Sequence, residues 1–241
     1  MRPQRFAIQG AVLQKHAPEA EVILRTCGIA NAVIAVGRLF VLAGDVDPSS
    51  ALARRDRVCI WIIVASYLNE AVVILNKRHD GLGWKLAEAG ATDGVTFPPE
   101  MPLANLKALM NKDSGFIKSC DAIRNRFAFH IDREPFMDWV NGRDAKEGVG
   151  IISQLGMENR DFVHDAATFA VQEATEKLMA NKFGELVSEV ILAMPYLVDA
   201  MVRGFAKSKG LTLSLEKNAE EDIVLAHEPG AFTTIRIEEG A

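Results

Sequence analysis

Apolar residues dominate residues 18–43, interrupted by no turn signal stronger than single glycines at Gly28 and Gly37, and this density predicts a long helix buried on most sides. The run Gly44-Asp-Val-Asp-Pro-Ser-Ser ends it. Asp47-Pro48 or Ser49 can cap a second helix over residues 50–77, which starts polar with Arg54, Arg55, Asp56 and Arg57 and turns apolar thereafter. The two predicted helices form an antiparallel pair. Both are apolar enough to be weighed as membrane spans. Arg25 and Arg38 break the first, however, and Asn69 and Glu70 sit near the middle of the second, so buried bundle helices are the better reading and no membrane contact is expected.

Further along, Asp80-Gly-Leu-Gly predicts a turn, residues 84–89 a short helix and the Gly- and Pro-rich residues 90–102 a loop. Residues 103–111 and 114–127 read as helices, the latter capped by Ser114. His130-Ile-Asp-Arg-Glu-Pro breaks the pattern, and Pro135 can open a short helix to Val140. Helical spacing returns over residues 160–180 and 184–207, with Pro195 as a kink position in the latter. The period then changes. Leu211, Leu213 and Leu215 alternate with polar residues, residues 223–225 form a compact apolar run, and Thr233-Thr-Ile-Arg-Ile alternates again. The expected fold is mainly α: an antiparallel helical bundle over residues 1–210 with a small C-terminal β appendage over residues 211–241.

The composition fits such a protein. The chain has 241 residues, 49% of them hydrophobic and 24% charged, which excludes disordered and fibrous classes. Cys27, Cys59 and Cys120 are too scattered for a disulfide framework or a zinc site, so a reducing, cytoplasmic setting is expected, and no signal peptide is read at the N-terminus. The net charge of −5 argues against a broad nucleic-acid surface. Its distribution softens that argument. Residues 1–146 hold 19 Lys and Arg against 16 Asp and Glu, whereas residues 147–241 hold 8 against 16. Lys112, Lys118, Arg124, Arg126 and Arg133, interleaved with Asp113, Asp121 and Asp132, leave room for a small cleft that takes one phosphate or a short RNA segment.

Residues 121–134 read Asp-Ala-Ile-Arg-Asn-Arg-Phe-Ala-Phe-His-Ile-Asp-Arg-Glu, with five residues between Arg124, which Asn125 follows, and His130. Arg-to-His spacings of this kind are expected about once by chance in this chain, and requiring Asn beside the Arg lowers that to roughly 0.04. The segment resembles the signature of the HEPN superfamily (higher eukaryotic and prokaryotic nucleotide-binding domain): Arg, a polar residue that is often Asn, and a His after four to six intervening residues. The resemblance implies a helical bundle, often a metal-independent ribonuclease, a homodimer with both motifs facing one cleft, and a role in toxin–antitoxin or phage-defence systems. It covers about seven residues as motif and residues 20–205 as architecture.

The chemistry suits the residue types. A metal-free ribonuclease activates the RNA 2′-hydroxyl with a group that titrates near neutrality, here His130, and stabilises charge growing on the phosphate with a fixed cation, here Arg124. Asn125 can hold the phosphate or the imidazole, and Arg126 and Lys118 are further phosphate-binding candidates. Glu70, a carboxylate among apolar neighbours, requires a partner, and Arg124 is one candidate. On one uninterrupted α-helix, Arg124 and His130 would point about 120° apart, while Arg126 and His130 would share a face. Either the helix therefore ends between Asn125 and His130, or a second copy completes the site.

The ordinary readings stand beside these. Asp121, Arg124 and Arg126 can be solvated helix pairs, His130 a C-terminal cap, Phe127 and Phe129 core residues rather than base-stacking ones, and Glu70 half of a core ion pair. His79-Asp80 reads as an ordinary helix end. Asp161, His164 and Asp165 make too loose a set for a metal. No Gly-rich phosphate loop or nucleophile elbow is present, and neither metal nor cofactor is expected. The leading expectation is an RNA endonuclease partnered by RNA, a second copy and an antitoxin protein. The alternative is a non-catalytic module that binds a nucleotide or a partner protein.

Overall fold

The computed structural model describes residues 4–8, 10–44, 51–128, 137, 141–142, 153–154, 162–163, 165–179, 182–216 and 233–239. Helices make up most of these. A short helix α1 (Gly10–Lys15) leads into α2 (Ala17–Gly44), and α3 (Ala51–Lys77) follows, matching the two apolar stretches within a residue or two at either end. After a 3₁₀ turn at Arg78–Asp80 come α4 (Leu82–Ala91), α5 (Leu103–Leu109) and α6 (Gly115–Ile123), then α7 (Asp165–Leu178) and α8 (Phe183–Ser208), which contains Pro195. The chain divides into two compact units: Met1–Gly28, Val73–Leu103 and Ala193–Ala241 in one, Ile29–Val72 and Ala104–Leu192 in the other.

In the first unit, the core gathers Val22, Ile74, Leu75, Trp84, Leu197 and Phe205. Two glycines let α4 and α8 touch backbone to backbone. A Cβ at Gly90 would run into the carbonyl of Ala200, and one at Gly204 into that of Leu86. Trp84, deep in this core, satisfies its indole N–H by donating to Asn76 Oδ1 at 3.0 Å. His79, Asp80 and Gly81 all take positive φ where α3 gives way to α4. In the same unit, backbone pairing sets β1 (Gln4–Ile8) parallel to β5 (Thr233–Glu239), and β4 (Leu211–Glu216) antiparallel to β5. Nothing in the local sequence predicted β1, because its partner strand lies at the other end of the chain.

In the second unit, Val64, Leu68, Leu106, Met110, Phe116 and Ile123 are buried. The Phe183 ring packs 5.2 Å from Phe116 and 5.9 Å from Trp61, centroid to centroid. Two expectations are corrected here. The helix read over residues 160–180 starts only at Asp165, because Phe162 and Val163 (β3) pair with Ser153 and Gln154 (β2); an aromatic and a β-branched residue suit a strand, and an acidic residue suits a helix start. The helix read over residues 114–127 stops at Ile123 and continues as a π-helical turn over Arg124–Ala128. The short helix expected at 135–140 and the run at 223–225 lie outside the described residues, apart from a single helical position at Met137.

Two stretches, Ala17–Leu39 and Arg55–Asp80, are long and apolar enough to cross a membrane, with 33% and 56% of their most apolar windows buried. The core helix of a soluble protein meets the same test of length and composition.

Candidate functional site around Arg124

Helix α6 is placed by its ends and its inner face. The Ser114 hydroxyl oxygen accepts from the Ile117 backbone N–H at 3.1 Å and donates to the Leu109 carbonyl at 2.6 Å, joining the cap to the end of α5. Phe116, Ile117, Cys120 and Ile123 are buried at three- and four-residue steps, so one face of α6 is anchored in the core. Lys118 and Asp121 lie on the exposed side.

Two polar bonds tie α6 and its π turn to α3. The buried Asn69 amide donates to Asp121 Oδ1 at 2.8 Å, and Arg124 Nη2 donates to Glu70 Oε1 at 3.0 Å. Asn69 and Glu70, the residues that break the apolar stretch of α3, thus meet residues three apart on the motif segment. The Arg124 side chain is 25% exposed and that of Glu70 43%. At such exposure an ion pair contributes on the order of 0.5 kcal/mol to stability. Leaving the Asn69 amide unsatisfied would cost more, about 1–3 kcal/mol.

The other sequence candidates divide clearly. Asn125 is exposed and Arg126 half-buried, both in the π turn beside Arg124. Lys118 lies on α6, six positions before Arg124, which turns it about 120° away on a regular helix. His130, Phe129, Asp161 and His164 lie outside the described residues; Phe127 is buried. The 120° separation of Arg124 and His130 held only for one uninterrupted α-helix; a π turn closes i to i+5, so the 100° step does not apply over Arg124–Ala128. Such turns recur at functional sites.

Cys120, one turn before Arg124, is fully buried, and burial pushes its thiol up to about 12, which disfavours the reactive thiolate. His79 is more engaged than an ordinary helix end. Its Nε2 lies 3.2 Å from Glu21 Oε2, and Arg25 and Arg78 approach the same carboxylate at 3.2 and 3.9 Å. Hydrogen bonds from His79 and Arg25 hold the Glu21 carboxyl below its ordinary value. Among the described residues, no group of three or more His, Cys, Asp or Glu is placed to hold a metal.

Sequence reasoning named Glu70 and its candidate partner Arg124 but missed Asn69 and Asp121 as a bonded pair. The signal was present in Asn69, a second polar residue in the apolar stretch. Compared with protein-family models, with curated proteins and with solved structures, the chain matches none.

Proposed function

We propose that the chain is a HEPN-like, metal-independent RNA endonuclease in which Arg124 and His130 are the catalytic pair and Asn125 assists. The observation that carries this reading is the Glu70–Arg124 ion pair of 3.0 Å at the entrance to the π turn, which fixes one edge of the motif guanidinium from a neighbouring helix. His130 takes the proton from the RNA 2′-hydroxyl and returns a proton to the departing 5′-oxygen. Arg124 stabilises the charge that accumulates on the phosphate. The products are a 2′,3′-cyclic phosphate end and a 5′-hydroxyl end. Asn125 holds a phosphate oxygen, and Arg126 and Lys118 contact flanking phosphates.

In this proposal the fold is an antiparallel helical bundle with a small β appendage at residues 211–241, working as a cytoplasmic homodimer whose activity an antitoxin protein restrains in a toxin–antitoxin or phage-defence system. The scattered free thiols at Cys27, Cys59 and Cys120 support a reducing compartment. Purified protein incubated with RNA in EDTA tests the activity: wild type cleaves, whereas Arg124→Ala and His130→Ala do not while remaining folded.

A second reading is favoured by the same ion pair. With Glu70 answering part of its charge, Arg124 can serve a non-catalytic module that binds a nucleotide or a partner protein. A thermal shift with nucleotides and no cleavage product selects that reading.

A further inference from the structure

A cavity of about 600 Å³ opens between α2, α3 and α8 in the second unit, walled by Ile34, Ile60, Trp61, Val64 and Ile191. Small-molecule sites fall in the range of about 300–1,000 Å³, are mostly apolar and carry a few polar groups that orient the ligand. Two glycines contribute to this wall. Gly184 leaves its Cβ position 3.7 Å from the Trp61 ring, and Gly37 brings the α2 backbone against Ile191. Larger side chains at either position would fill the space.

Charge at the mouth selects the head group. Arg38 and Glu185 both line the cavity and are exposed. Glu185 has a cation of its own, Lys182 at 3.7 Å, whereas Arg38 has no carboxylate partner among the described residues. An apolar chamber with such a guanidinium at its edge is complementary to an aliphatic chain that ends in a carboxylate. We propose that this cavity binds a soluble medium-chain carboxylate, with the alkyl chain between Trp61, Val64 and Ile191 and the carboxylate on Arg38. The site lies on α3 at least six residues, roughly 9 Å of helix rise, before Glu70, so it does not share the residues of the proposed RNA site.

Calorimetric titration of the full chain with decanoate, decan-1-ol and decyltrimethylammonium, all below micelle-forming concentration, tests this. Decanoate binds one per chain and at least tenfold tighter than the alcohol, the cation does not bind, and affinity rises roughly three- to fourfold per methylene from hexanoate to decanoate. Arg38→Gln, at an exposed position, weakens decanoate about tenfold and leaves the alcohol unchanged; Gly184→Leu abolishes binding of both, and its thermal unfolding is checked alongside. Equal affinity for the three head groups overturns the proposal, as does decanoate binding that both variants retain. Absence of decanoate binding also overturns it, and a wild-type dimer that Leu192→Glu dissociates then assigns this face to a second copy.

Discussion

Glu70 and Asn69 stand in an otherwise apolar stretch of α3 because each has a partner on the motif segment: Arg124 at 3.0 Å and Asp121 at 2.8 Å. A half-exposed ion pair adds little to stability, so Glu70→Gln is expected to change the unfolding free energy by less than about 1 kcal/mol. If the pair orients a reacting guanidinium, the same variant lowers RNA cleavage by about tenfold at unchanged KM. Urea unfolding and single-turnover cleavage on one preparation separate the two effects, and lost stability with full activity per folded molecule would make the pair structural. Gly204 gives a contrasting case. Its Cβ position is occupied by the Leu86 carbonyl, so Gly204→Val destabilises the fold by about 3 kcal/mol in the same urea assay. The pairing of Glu70 was legible because a lone carboxylate in an apolar run demands a cation. For Asn69 the sequence signalled the need for a partner but not its identity, since a buried amide can equally be satisfied by backbone or water.

At the scale of elements, α2 and α3 could be read from apolar density, and the start of α6 from Ser114 followed by an apolar face. Ser114→Ala should cost about 1 kcal/mol, measured by urea unfolding, because it removes the acceptor for Ile117 N–H and a donor to Leu109. The π turn at Arg124–Ala128 was not legible: one extra residue in a helical turn leaves no mark in hydrophobic spacing. Strand β1 was hidden because its pairing is with β5 and its neighbours in sequence supply no alternation signal. The start of α2 and the chain just past α8 carry a charge pair with a pH signature. Burial alone would raise the Glu19 carboxyl, but its hydrogen bond and charge pairing with Lys209, 2.6 Å away, outweigh that and lower it from 4.5. A carboxyl lowered on folding adds stability above its unfolded value, and this is lost as pH falls through the folded value. Wild type is therefore expected to lose more stability than Lys209→Met between pH 5 and the acid limb below about 4.5, read as Tm against pH.

For the whole molecule, the net charge of −5 is less informative than its distribution, because the described residues around Arg124 combine Arg126 and Asn125 with Asp121 and Glu70. For the proposed RNA site, such a mixed surface is expected to take one phosphate and its neighbours rather than a long duplex. The cavity between α2, α3 and α8 was not legible at this scale, since a void forms where three helices fail to fill their shared space and no single residue announces it. The most direct measurement of the central claim is cleavage of a single-stranded RNA in EDTA by wild type, Arg124→Ala and His130→Ala, each shown folded by circular dichroism. Wild type should yield fragments ending in 2′,3′-cyclic phosphate and neither variant should yield any; fragments from both folded variants, or none from wild type on any single-stranded RNA, would contradict it.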